Sequence, residues 1–204
     1  MLDAGAGDAP YRNEFSHTRY ESADFHQVDK IYAQSTYVCD LAAIPVEDAR
    51  FEFIVFNQVM EHLPDPANVL RELHRVLQPG GQVLYTGPLF YEEHEQPYDF
   101  YRYTQFGVRF LFESAGFRIH RLDWLEGYFG TVAYQLNRMF HFLPSRPADL
   151  APGVLGYILS PLLLSLRVAF AGLSVFFHWL ETRSKVTRRG YPKNYVALLT
   201  KPVN

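Results

Sequence analysis

The first residues able to do chemistry stand at the start of the chain. Asp3-Ala4-Gly5-Ala6-Gly7 is a D-x-G-x-G turn, in which glycine lets the backbone bend sharply and come close to a ligand. Asp24 follows the β-like run HTRYESAD, at a spacing that suits a carboxylate gripping ribose hydroxyls. Asp40 closes another short strand, TYVCD, and FEFIVFNQV runs into Glu61-His62-Leu63-Pro64. A last cluster, YEEHEQPYDFYRYT over 91–104, crowds His94, Tyr98, Asp99, Tyr101, Arg102 and Tyr103 into one loop. Loops held on a rigid scaffold carry function more often than core segments do. The plainer reading of the cluster is an Asp99–Arg102 salt bridge among packed tyrosines. Glu61-His62 with His94 is too thin a basis for a metal site, so no metal is expected.

The elements that must position these residues follow from periodicity. Strands are expected near 1–3, 18–24, 36–39, 52–57, 82–87 and 117–123, with YPKNYVALLTKPVN as one more strand closed by Pro202. The helix from Asp65 to Leu77 has Pro66 in its first turn and Val69, Leu70, Leu73, Val76 and Leu77 at helical spacing. Pro79-Gly80-Gly81 is expected to stop it. A second helix spans Thr104 to Ser114. Such alternation predicts an α/β fold, a mostly parallel sheet covered on both faces. Ligands then bind beyond the carboxyl ends of the strands.

In order, LDAGAG, YESAD, CDLAAIPVEDARFEFIVFNQVMEHLPDP and LRELHRVLQPGGQVLYTGP resemble the class I S-adenosylmethionine-dependent methyltransferases. The likeness is to their small-molecule branch, which includes the ubiquinone-biosynthesis enzymes, and covers residues 1–124 and 191–202. It implies a Rossmann-like, mostly parallel sheet whose last strand is antiparallel, inserted between the fifth and sixth. It also implies roles: Gly5 and Gly7 face the methionine part of S-adenosylmethionine with Asp3 nearby, and Asp24 binds the ribose. Asp40 meets the adenine amino group, the Leu41 N–H the ring nitrogen, and the Asn57 backbone the ammonium. His62 falls on the acceptor side, as a base or as a plain core-edge histidine. The 91–104 motif looks like one in a bacterial subset of these enzymes, some of which accompany surface-polysaccharide genes. His94, Tyr98, Asp99 and Arg102 join His62 as catalytic candidates.

A nicotinamide dehydrogenase shares the first turn. Its third glycine would fall at Pro10, and no Tyr-x-x-x-Lys pair occurs. Two departures from the methyltransferase pattern stand out. Only Met1 and Leu2 precede Asp3, so the usual N-terminal helix and most of the first strand are lacking; a truncated chain or a misplaced start is the expectation. Glu52 stands where the family has Asp.

Residues 125–190 differ from the rest: aromatic, then strongly apolar, then basic. VLGYILSPLLLSLRVAFAGLSVFFHWL (154–180) is long enough to span a bilayer. Against a span stand Pro161, Arg167 and the polar stripe Ser160, Arg167, Ser174, His178 and Glu181. A single span would also strand the last β-strand on the wrong side. Two helices broken near Pro161 are expected, and three placements stay open: a membrane surface, a homodimer or lid through 150–190, or a span. Arg183, Lys185, Arg188 and Arg189 suit an anionic lipid surface.

Composition sets the outer bounds. Of 204 residues, 48% are hydrophobic and 20% charged, enough to bury a core and too little charge for disorder. Nineteen Lys+Arg against 22 Asp+Glu leave a net charge of -3, which opposes a nucleic-acid partner. The single Cys39 excludes an internal disulfide framework and suits a reducing cytosol. The opening MLDAGAG lacks the basic-then-apolar pattern of a signal peptide. The expected function is methyl transfer to O or N of a small molecule, a glycan or lipid-linked intermediate, in the cytoplasm or at the inner membrane face. The alternative is a degenerate module that binds a partner or membrane through 125–190.

Overall fold

A computed structural model describes residues 1–26, 28 and 31–203. Its first helix, α1 (Pro66–Val76), shows how the scaffold is encoded. The Asp65 carboxylate accepts from the Asn68 N–H at 3.1 Å, Pro66 sits where no N–H is needed, and Val69, Leu70, Leu73 and Val76 are buried along one stripe. The helix ends earlier than expected. Leu77 is already extended (φ -81°, ψ 137°), and Pro79-Gly80-Gly81 lies inside a strand, Leu77–Pro88, instead of stopping a helix. These residues make a bulge: pairing steps from Phe51↔Leu77 to Phe53↔Gln82, with Gly80 at φ +80°.

The strands are β1 (Leu2–Ala4), β2 (Glu21–Asp24), β3 (Tyr37–Val38), β4 (Phe51–Asn57), β5 (Leu77–Pro88), β6 (Arg118–Trp124) and β7 (Asn194–Thr200). They form one sheet in the order β3-β2-β1-β4-β5-β7-β6. The first five are parallel, and β7 lies antiparallel between β5 and β6. Leu2, Ile54, Phe56, Val83, Tyr85 and Leu199 are buried at its centre; the Tyr85 ring meets Phe112 at 5.1 Å and Phe56 at 6.1 Å. Helix α2 (Gln105–Ser114), capped by the Thr104 hydroxyl on the Gly107 N–H, packs against α1. The crossovers 5–20 and 39–50 run in turns, so α1 and α2 supply this unit's helical layer.

The chain divides into two compact units, Met1–Trp124 with Asn194–Asn204, and Leu125–Lys193. The second holds α3 (Tyr128–Phe142), the short turn α4 (Pro147–Leu150) and α5 (Val154–Arg183). Helix α5 runs unbroken through Pro161, against the expected pair of helices. Proline forfeits one rung of the ladder, while Gly156 sits so close to the Pro147 and Ala151 carbonyls that no Cβ would fit. Contact on that side of Pro161, and with α3 on the other, holds the helix in line.

Three residues of the polar stripe of α5, Arg167, Ser174 and Glu181, stand seven apart and meet α3 or its ends. Arg167 donates to the carbonyls of Leu143 (2.8 Å) and Pro144 (3.3 Å), just past the carboxyl end of α3. The Ser174 hydroxyl donates to the Ala133 carbonyl at 2.8 Å. The Glu181 carboxylate accepts from the Gly127 and Gly130 N–H groups, at 2.6 and 3.0 Å, at the amino end of α3. A cation thus meets the negative end of the α3 dipole and an anion the positive end. The fourteen residues between them rise about 21 Å, close to the roughly 22 Å length of α3. Glu181→Ala is expected to cost about 1–2 kcal/mol, the scale of a lost cap, and to release the Gly127 and Gly130 amides to hydrogen exchange. Unchanged protection there would mean that the cap does not order α3.

Candidate functional site

The ends of the parallel strands build the site. At the end of β1, Gly5 turns at φ +78° and its N–H donates to the Ala23 carbonyl at 2.8 Å. A Cβ on Gly5 would stand 2.4 Å from a Val59 methyl. At the end of β2, Asp24 Oδ2 accepts from the Gly7 N–H at 2.9 Å and Oδ1 from the His26 N–H at 2.8 Å. Each oxygen keeps a further acceptor direction. Past β4, Gln58 takes φ +55°, a strained value for a residue other than glycine. These ends border a cavity of about 270 Å³.

Of the residues singled out by sequence, Gly5, Asp24, Asp40, Leu41, His62 and Tyr98 line this cavity. Asp3, Gly7, Asn57, His94, Asp99 and Arg102 are not on its wall. Asp3 lies buried under the turn, accepting from the Tyr20 hydroxyl at 2.5 Å, and burial raises its pKa. Gly7 acts through Asp24. The Asn57 side chain is engaged by the hydroxyls of Thr86 and Tyr11. Asp99 and Arg102 form a two-pronged ion pair at 2.6 and 2.8 Å, and the Arg102 guanidinium holds Asp99 down at about 2. Arg102 also donates to the Glu92 and Tyr101 carbonyls, so the pair shapes the loop. Phe25, Val28, Tyr32, Gln58 and Val59 line the cavity as well and escaped the sequence reading. An aromatic residue straight after Asp24 was the available signal.

Glu61 and His62 form a 3-10 turn after β4, Met60–His62. Glu61 is fully buried, and that burial pushes its carboxyl up to about 7. Burial also lowers the His62 pKa, favouring the neutral ring. The loop is tied to this turn: the Phe100 and Tyr101 amides donate to the Glu61 carbonyl at 2.9 and 3.2 Å.

The lining fits S-adenosylmethionine. A neutral adenosine and a zwitterionic tail call for carboxylates, backbone groups and apolar walls, here Asp24, Asp40, the Gly5 turn, Phe25 and Leu41. A phosphate placed beside two carboxylates would be repelled.

Residues 2–85 match the model of a methyltransferase domain family. The ubiquinone biosynthesis O-methyltransferase of Azotobacter vinelandii is 37% identical over 59 residues, 29% of this chain and 24% of that protein. The arsenite methyltransferase of Aquipseudomonas alcaligenes is 42% identical over 50 residues, 24% of this chain and 14% of that protein. The matches thus span about a quarter or less of these relatives' lengths. Among solved structures, the [4+2]-cyclase SpnF has a TM-score of 0.59 at 16% identity, covering 100% of this chain and 75% of its own. Phosphoethanolamine N-methyltransferase 2 of Haemonchus contortus, in complex with S-adenosyl-L-methionine, has a TM-score of 0.56 at 17% identity, covering 100% and 48%. Likeness at such identity speaks for the fold alone. Sheet order defines a Rossmann-like fold. Over the matched residues 2–85 the chain is similar to the methyltransferase domain family, and its sheet order is that of the class I S-adenosylmethionine-dependent methyltransferases.

Proposed function

We propose that this chain moves the methyl group of S-adenosylmethionine to an oxygen or nitrogen of a small-molecule acceptor. The acceptor would be a glycan or lipid-linked intermediate reached at the cytoplasmic face of a membrane. The cavity carries the first half of this reading: Asp24 would hold the ribose, Asp40 and the Leu41 N–H the adenine, and the Gly5 turn the methionine tail. The cofactor supplies the reactive sulfonium; the protein aligns the acceptor and excludes water. His62 and Tyr98 are the candidate catalytic groups on the cavity wall.

Helix α5 supports the second half. It is long and apolar enough to cross a membrane by length and composition, with 6% of its most apolar window buried. Leu155, Ile158, Leu162, Leu173, Phe176 and Trp179 are exposed. Trp124 and Tyr195 are paired in the sheet, so both ends of the 125–193 segment leave it side by side. A single crossing is incompatible with that pairing. At 15 residues, α3 is about 22 Å long, too short to cross the roughly 30 Å hydrocarbon core and return the chain. The helices would therefore lie along one surface, with Trp179, Arg183, Arg188 and Arg189 among headgroups.

Calorimetric titration with S-adenosylmethionine, S-adenosylhomocysteine and NAD tests the cofactor half. Micromolar binding of the first two and none of NAD is expected; a folded sample that binds neither overturns it. Flotation with phosphatidylglycerol vesicles tests the membrane half. Binding that is lost in the Leu162→Asp/Phe176→Asp double variant is expected, and a soluble dimer that ignores vesicles overturns it.

A further inference from the structure

Both carboxylate oxygens of Glu61 are buried without a hydrogen-bond partner among the described residues. A buried carboxylate left so is costly unless a cation compensates it. Arg102, the nearby guanidinium, is committed to Asp99. Two imidazoles stand close instead. His62 Nε2 is 3.8 Å from Glu61 Oε1, and the His94 ring meets the His62 ring edge-on at 4.6 Å. One ligand atom from each of Glu61, His62 and His94 falls within 4.8 Å of the others.

The protons on these rings can be placed. His62 Nδ1 lies 2.6 Å from the Tyr98 carbonyl and His94 Nδ1 lies 3.1 Å from the Glu92 carbonyl. A carbonyl only accepts, so each Nδ1 carries the hydrogen and each Nε2 keeps its lone pair. Metal-bound histidines are oriented in this manner. Asp99 adds a second support, its Oδ2 accepting from the His94 backbone N–H at 2.9 Å and lying 3.4 Å from the His94 Nδ1.

We propose that Glu61, His62 and His94 bind one divalent transition-metal ion of the zinc class. Two imidazoles and one carboxylate are a ligand set that zinc accepts while keeping a fourth position open. His62 belongs both to this set and to the cavity wall. The ion would thus take an acceptor oxygen and favour its ionised form, a task otherwise left to a free His62 base. That acceptor role deepens the reading above and rests on it; the metal site rests on ligand geometry alone.

The test is titration of the chelator-stripped full chain with Zn²⁺ by calorimetry and with Co²⁺ by visible absorption. One equivalent of zinc and the d–d bands of a nitrogen-ligated cobalt ion are expected. His94→Ala, on the loop, and Glu61→Gln should each weaken binding by at least about 10-fold. Asp99→Asn should do so by roughly 10-fold through His94. Zinc should raise the melting temperature of the wild-type chain and not of His94→Ala. His141→Ala, outside the set, should bind as wild type. Failure of the wild-type chain to bind either ion at micromolar concentration overturns the proposal, as does unchanged affinity in His94→Ala. Loss of metal with S-adenosylmethionine affinity retained in His94→Ala separates this site from the cofactor reading.

Discussion

Gly5→Ala is expected to destabilise the first unit by about 2–4 kcal/mol and to abolish measurable cofactor binding. Two independent strains add. At φ +78° a Cβ clashes with the local backbone. The same Cβ would also sit 2.4 and 2.7 Å from the two methyls of Val59. Val59 has little room to retreat: it is 8% exposed, β-branched and part of the core around Leu2 and Ile54. Because Gly5 and Val59 share the cavity wall, any shift that relieves the clash deforms the cofactor site. Val59→Ala in the Gly5→Ala background separates the terms. Chemical denaturation should show the steric part recovered and the backbone part remaining. Equal stability of Gly5→Ala and wild type would mean that the turn does not need glycine.

The strand ends and the cap of α1 were legible because they depend on neighbours in sequence. Asp65, Pro66 and the Val69–Val76 stripe place that helix within a residue. Pro79-Gly80-Gly81 misled because the same residues that end helices also make bulges; β4 pairing, a long-range fact, decides between them. Pro161 misled in the same way, its lost rung outweighed by packing that no local pattern reports. The α5 stripe was visible as a polar line, but its partners on α3, more than twenty residues away, were not.

In the site, Asp24 and Asp40 stood out as carboxylates closing short strands, and both line the cavity. The meeting of His62 with His94 lay beyond reach. Thirty-two positions separate them, and the Glu61 carbonyl brings them together by docking the loop through Phe100 and Tyr101. Asp99 and Arg102 had the right residue types for catalysis and spend them on each other.

Asp24→Ala should weaken S-adenosylmethionine and S-adenosylhomocysteine binding by about 1–3 kcal/mol, roughly 5- to 150-fold. The carboxylate is held from behind by the Gly7 and His26 N–H groups, so it meets a ligand already oriented. Asp24→Asn is expected to be nearly as damaging. Its single oxygen can serve one of those N–H groups, while its NH₂ must confront the other, donor against donor. Asp40→Ala should cost less, since Asp40 accepts from the Ala42 N–H at an exposed position. A ribose contact must still be told from mere support of the turn. Calorimetry with 2′,3′-dideoxy S-adenosylhomocysteine does so. If Asp24 grips the hydroxyls, the dideoxy ligand binds wild type and Asp24→Ala about equally weakly, and the two losses do not add. Additive losses would leave Asp24 as a brace for the glycine turn, and the ribose would need another acceptor.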